Sequence, residues 1–149
     1  MLLSTRGKYG LKAMIDLAMG YGEKPQSIAA LAKGQGISDA YLEQLIGVLR
    51  KAGLVESKRG ARGGYELARP PEGISVGEVL TALEGSTAVM RCVSDELVDC
   101  DNACVCSTRP LWLKLQISIN DVLKSTTLED MAEDYKTQKR RMTNEEDIS

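Results

Sequence analysis

Four cysteines, Cys92, Cys100, Cys104 and Cys106, stand in one short segment, and the rest of the 149-residue chain has none. That segment, RCVSDELVDCDNACVC, is too polar to be core. A thiolate is both a nucleophile and a soft metal ligand, so gathered thiols point to metal or redox chemistry. Four of them are enough for zinc or for an iron–sulfur cluster. The chain has no histidine, which excludes a mixed Cys/His zinc site. The spacing C-x7-C-x3-C-x-C also departs from the paired C-x2–4-C knuckles of structural zinc. A wide first gap followed by a tight group suits a flexible cluster-binding loop. The alternative is a set of reactive thiols without a metal. Nucleophilic catalysis is not expected, because no Ser/His/Asp or Cys/His pair can form without histidine and the carboxylates are scattered over helix surfaces.

The elements around the segment follow from periodicity. Leu11, Met14, Ile15 and Ala18 form the apolar stripe of a helix over residues 6–21, which Gly20, Gly22 and Pro25 end. Ser27 can cap a short helix that buries Ile28, Leu31 and Ala32, and Gly34 and Gly36 make a turn. Ser38 is the expected N-cap of a third helix to Ala52, with Leu42, Leu45 and Leu49 on one face and Gly53 as its stop. Val55 and Ser57, then Tyr65 and Leu67, alternate as two strands around the tip Lys58-Arg59-Gly60-Ala61-Arg62-Gly63-Gly64. Three helices and a basic hairpin make a winged helix-turn-helix.

Pro70-Pro71-Glu72-Gly73 breaks the chain, and Ser75-Val76-Gly77-Glu78 opens a helix to Leu83 as a capping box. After the cysteines, Trp112, Leu115, Ile119, Val122 and Leu123 mark a long helix over residues 108–124. Thr126-Thr127-Leu128-Glu129 is read as a second capping box opening a short last helix. The tail from residue 136 lacks apolar periodicity and is expected to be disordered.

Composition bounds the class. With 43% hydrophobic and 27% charged residues the chain reads as an ordinary soluble protein, and with one Trp and no Phe its core must be aliphatic. No apolar run approaches the roughly 20 residues of a membrane span. The start MLLSTRGKYG has no signal-peptide apolar region, so a cytoplasmic protein without a membrane partner is expected. Residues 1–69 carry 11 Lys/Arg against 6 Asp/Glu, and residues 70–149 carry 8 against 15. A basic first half suggests an anionic partner there.

Double-stranded DNA fits that partner. On the third helix, Ser38, Asp39, Tyr41, Glu43 and Gln44 present polar groups at the N-terminal end, where a recognition helix meets base edges. Gln pairs with adenine and Glu accepts from cytosine. Alone, such residues read as a solvated helix face; the basic tip changes that reading. Arg59 and Arg62, with Lys58 beside them, sit on a Gly-rich loop suited to a minor groove or its phosphates. A cluster carrier or scaffold would need none of these groups.

Four stretches carry a family resemblance: LSTRGKYGLKAMIDLA, ISDAYLEQLIGVLRKAGLVESKRGARGGYELA, ISVGEVLTALEG and STTLEDMA. Over residues 1–134 the chain resembles the Rrf-two family of bacterial winged-helix transcription regulators. The resemblance implies a homodimer on a pseudopalindromic operator, with the long helix as the dimer seam. The fold class is then mainly α with a small β-hairpin. Residues 1–73 form the winged helix-turn-helix domain, and residues 74–135 the linker helix, cysteine loop and dimerisation helix. A disordered tail covers residues 136–149.

The family's cluster-binding branch carries three cysteines before the dimerisation helix, and Cys92, Cys100 and Cys106 look similar to that triad. Some members add a histidine three residues past the last cysteine, where this chain has Arg109; others add an N-terminal aspartate, where it has Lys8. The fourth ligand is thus open among Cys104, Asp99, Asp101 and a thiol from solution. An all-cysteine site favours a [4Fe–4S] cluster over [2Fe–2S]. The expected function is a dimeric transcription regulator sensing cluster, iron or redox status. The alternative is a cluster-free thiol-redox or cysteine-metabolism repressor, regulated by a partner protein or metabolite.

Overall fold

The computed structural model describes residues 3–90, residue 93 and residues 106–148. Cys92, Cys100, Cys104, Asp99 and Asp101 lie outside the described residues. Helix α1 (Thr5–Met19) opens on Ser4, whose hydroxyl accepts from the Gly7 N–H at 3.3 Å. Helix α2 (Ile28–Gln35) opens on Ser27 and ends on Gly36, which takes a left-handed conformation at φ 67°. Helix α3 (Asp39–Lys51) opens on Ser38. All three serines place a hydroxyl on an N–H that the helix itself leaves unpaired. The expected stripes turn inward: Met14, Leu42, Leu45, Ile46 and Leu49 are almost fully buried where the three helices meet.

Strands β1 (Val55–Lys58) and β2 (Gly64–Leu67) pair antiparallel, with Val55 opposite Leu67 and Ser57 opposite Tyr65. Val55 and Leu67 face the core. On its other edge β2 takes a third partner. The Gln26 N–H donates to the Tyr65 carbonyl at 2.9 Å, and the Tyr65 N–H donates back to the Gln26 carbonyl at 2.8 Å. This bridge ties the hairpin to the segment between α1 and α2. It also explains Gly64, where an added Cβ would stand 2.5 Å from the Gln26 carbonyl oxygen. Gly64→Ala is therefore expected to push the hairpin off that edge, at about 1–3 kcal/mol. A thermal unfolding midpoint equal to that of the parent would contradict this packing.

Helix α4 (Val76–Glu84) begins with the expected box. The Glu78 N–H donates to Ser75 Oγ at 3.1 Å, and the Ser75 N–H donates to Glu78 Oε2 at 2.9 Å. It buries Val76, Val79, Leu80 and Leu83. Gly10 lets α1 approach, since a Cβ there would overlap the Leu83 side chain. Helices α5 (Arg109–Ser125) and α6 (Leu128–Ile148) follow the cysteine segment. Their junction is fastened to the start of α4: the Val76 N–H donates to the Thr126 carbonyl at 2.8 Å and the Leu128 N–H to the Ile74 carbonyl at 2.9 Å. The long helix thus leaves the winged unit at a fixed point.

Two local expectations are corrected. The box before α6 is formed by Thr127 and Asp130, one residue beyond the Thr126–Glu129 pair; Thr127 Oγ1 accepts from the Asp130 N–H at 3.1 Å and Asp130 Oδ2 from the Thr127 N–H at 3.0 Å. The disordered tail expected from residue 136 is helical to Ile148. That part of α6 has no apolar stripe to bury. Its own side chains pair along the helix: Lys136 meets Glu133 at 3.3 Å, and Lys139 lies 4.7 Å from the centre of the Tyr135 ring. Among the described residues, no helix is long and apolar enough to cross a membrane.

Candidate nucleic-acid interface and cysteine segment

The N-terminal end of α3 is where the fold exposes polar chemistry. Asp39, Glu43 and Gln44 are exposed, while Leu42 and Leu45, which flank Glu43 and Gln44, are buried. Ser38 is exposed too, but its hydroxyl accepts the Tyr41 N–H at 3.1 Å and so works as the cap. Tyr41 is half-buried, with its ring edge-on to Tyr9 at 6.3 Å between centroids. Tyr9 in turn lies beneath Lys8 and Lys12, whose ammonium groups are 5.4 and 5.7 Å from its ring centre. Sequence reasoning missed this link. It brings two cations of α1 near the first turn of α3, and its only signal was the i, i+4 spacing of the two lysines.

On the hairpin, Arg59 and Arg62 are exposed on the turn that Gly60 and Gly63 close, the Gly63 N–H donating to the Gly60 carbonyl at 3.0 Å. Gly60 has φ 109°, which a side chain would strain. Neither arginine makes an ion pair among the described residues. Lys58 differs: its ammonium meets Glu66 at 3.3 Å and Glu56 at 3.8 Å. Such an exposed pair is weak and yields to a phosphate at little cost.

Both flanks of the cysteine segment end on α5. Before it, the Val89 N–H donates to Gln116 Oε1 at 2.7 Å, and Gln116 Nε2 donates to the Thr87 carbonyl at 3.3 Å and to Asn120 Oδ1 at 2.8 Å. Gln116 is 8% exposed, the one buried polar side chain on this helix among the described residues. After it, Cys106 stands at the entrance to α5. The Thr108 hydroxyl lies 3.4 Å from its Sγ, and that group, with the backbone N–H groups of Thr108 and Arg109, holds the thiol below its ordinary pKa. Trp112 Nε1 donates to the same Thr108 oxygen at 3.1 Å and fixes it. Cys106 is the one cysteine among the described residues.

The apolar stripe of α5 divides in two. Leu123 packs over Gly77 of α4, where an added Cβ would stand 3.2 Å away. Trp112 and Ile119 are half-buried. Leu111, Leu115 and Val122, at i, i+4 and i+11, are 52, 41 and 62% exposed and line one face that the described residues leave uncovered.

Residues 3–134 match the family described as "Rrf2: Iron-dependent Transcriptional regulator". The chain belongs to the Rrf2 family. This Rrf2 chain is 42% identical to the HTH-type transcriptional regulator CymR of Bacillus subtilis (strain 168) over 132 residues, 89% of this chain and 90% of that one. A solved structure of CymR (YrzC), the global cysteine regulator of B. subtilis, superposes with a TM-score of 0.76 at 42% identity, covering 89% of this chain and 97% of that one. The solved structure of T. potens IscR gives a TM-score of 0.73 at 45% identity, covering 91% and 88%. The protein is a transcriptional regulator with the winged helix-turn-helix architecture of its family.

Proposed function

We propose that this Rrf2 regulator binds operator DNA as a homodimer and that Cys92, Cys100 and Cys106, with Cys104 as the fourth, hold an iron–sulfur cluster that sets its DNA affinity. The observation that carries the reading is the attachment of both flanks of the cysteine segment to α5, through Gln116 on one side and Cys106 on the other. The donor chemistry fits, because a thiol held below its ordinary pKa is more readily the thiolate that iron takes. With four thiolates available, [4Fe–4S] is favoured over [2Fe–2S]. A bound cluster supplies redox chemistry and reactivity towards oxidants and nitric oxide, and its retention depends on iron supply. Cys106 then pulls on the first turn of α5 and Gln116 on its middle, so fixing the segment biases the tilt of the helix. Because the α5–α6 junction is fastened to the start of α4, a tilt there moves the reading heads. The signal acts only as far as it favours one head spacing over the other.

In this reading the DNA contacts come from Asp39, Glu43 and Gln44 on α3 and from Arg59, Arg62 and Lys58 on the hairpin, with Ser38 and Tyr41 shaping the helix end. Two substitutions separate their roles. Arg59→Ala should weaken binding to all duplexes and lower the salt slope by about 1, because one phosphate contact is lost. Gln44→Ala should relax preference at one base pair by roughly 1–3 kcal/mol. Fluorescence anisotropy on a duplex selected from a random pool reads both. Wild-type affinity and preference in both variants would remove this face from the DNA. The signalling claim is tested with the same duplex by comparing protein prepared with and without iron and sulfide; equal affinity in the two forms would refute it.

A second reading has its own support. Similarity to a global cysteine regulator, together with the lowered Cys106 thiol, also suits a cluster-free repressor. There the thiols would respond to oxidants, or a partner protein or metabolite would set DNA affinity. Retention of the signal response in metal-free protein would favour it.

A further inference from the structure

A cavity of about 560 Å³ opens where the end of α3, helix α4 and helix α5 meet. Ala52 and Leu54 line it from the winged unit, Thr81 and Ala82 from α4, and Asn120 and Lys124 from α5. It shares no residue with the polar end of α3, the hairpin tip or the cysteine segment. Asn120 and Lys124 are one turn apart and so are neighbours on one face of α5. The helical period turns that face away from Leu111, Leu115 and Val122, so the cavity and the proposed dimer seam lie on opposite sides of the helix.

A chain of amides decides what Asn120 offers. A backbone N–H can only donate, so the Val89 N–H, at 2.7 Å, fixes which end of the Gln116 amide is its oxygen. Gln116 Nε2 must then donate, and it reaches Asn120 Oδ1 at 2.8 Å. Asn120 therefore turns its oxygen to Gln116, and its Nδ2 keeps N–H groups without a partner among the described residues. Asn120 is exposed on the cavity wall, and these donors are what it has left to offer there.

Charge points the same way. Lys124 makes no ion pair among the described residues. Glu78, also on the wall, is already matched: Arg69 meets its Oε1 at 2.8 Å, and the Ser75 N–H donates to its Oε2 at 2.9 Å. The wall thus carries one unmatched cation, the Asn120 donors and the Thr81 hydroxyl. The aliphatic part of the lining includes Leu54, which is buried, and Ala82 and Leu123, which are half-buried. An anionic head and a short hydrocarbon body match these two parts.

We propose that this cavity binds a small aliphatic carboxylate. Its oxygens take the Lys124 ammonium and the Asn120 Nδ2, and its methylenes lie along Leu54, Ala82 and Leu123. Gln116, which orients Asn120, also holds Thr87 and Val89. A carboxylate on Asn120 therefore secures the amide chain that ends at the flank of the cysteine segment. Binding there needs neither the cluster nor DNA.

The test is calorimetric titration of DNA-free, full-length protein with sodium 4-methylpentanoate, at fixed ionic strength. Saturable binding of one molecule per chain is expected. Lys124→Met should weaken it by roughly tenfold or more, since a charge-assisted bond is lost. Asn120→Asp keeps the acceptor for Gln116 but puts a carboxylate in place of the donors, and should weaken binding at least as much. If Asn120→Asp also lowers the thermal unfolding midpoint, Lys124→Met, at an exposed position, decides alone. Lys114→Met, at an exposed lysine of α5 outside the cavity, should bind like the parent. Neutral 4-methylpentanamide should bind about tenfold more weakly than the carboxylate. No saturable heat, parental binding in Lys124→Met, an equal loss in Lys114→Met, or equal binding of the amide would overturn the proposal.

Discussion

Leu115→Glu is expected to convert the protein to monomers and to abolish tight operator binding. Leu115 lies between Leu111 and Val122 on the face of α5 that the described chain leaves uncovered. In the proposed homodimer that face packs against its copy, so each chain would bury an unpaired carboxylate in the seam. Such a charge costs about 3–5 kcal/mol, which raises a dissociation constant by roughly two to three orders of magnitude. A single head then reads half an operator. Val122→Glu should behave alike. Ile117→Glu should be harmless to assembly: Ile117 is also exposed, at 60%, but its position turns it to the other side of the helix. Light scattering separates the three. A Leu115→Glu dimer of normal mass, with its helical content intact, would take α5 out of the interface.

The second large effect is expected at Cys106. Cys106→Ala removes the ligand at the entrance to α5 and should collapse the difference in operator affinity between protein prepared with and without iron and sulfide. The substitution should not unfold the chain, because the thiol is not part of the core and Thr108 keeps its bond from Trp112. Cys104→Ala divides the ligand sets. It should match Cys106→Ala if the site is all-cysteine, and should leave the affinity difference intact if Asp99, Asp101 or an external thiol completes it. A wild-type affinity difference in Cys106→Ala would show that the signal does not pass through this thiol.

Local chemistry made much of the fold legible. Ser27, Ser38 and Ser75 each precede an apolar stripe, and each is a cap in the structure. The stripes on α1, α2 and α3 name much of the core because a buried face must repeat with the helical period. The hairpin followed from alternation and the Gly-rich tip. Failures occurred where two local patterns competed or where the partner is distant. Thr126–Glu129 and Thr127–Asp130 both satisfy the capping-box spacing, and only the fastening of Leu128 to Ile74 selects the second. The helical extension of α6 has no stripe to announce it.

At the candidate site, residue types were readable and their tasks were not. Tyr41 reads as one more polar group on the helix end, and the structure half-buries it with its ring edge-on to Tyr9. Lys58 looks free until the strand register brings Glu66 beside it. Gln116 reads as an ordinary polar residue on a helix. Its importance comes from partners at Thr87 and Val89, on the far side of the cysteine segment.

The central claim is that the cysteines hold an iron–sulfur cluster, and one measurement meets it directly. Wild-type protein and the Cys92→Ala, Cys100→Ala and Cys106→Ala variants are purified without oxygen, reconstituted with iron and sulfide, and analysed for bound iron, acid-labile sulfide and visible absorption. The expected result is a coloured wild-type protein with iron and sulfide in equal amounts, and colourless, folded variants. A colourless wild-type protein without bound iron would contradict the claim, as would variants that keep the wild-type spectrum.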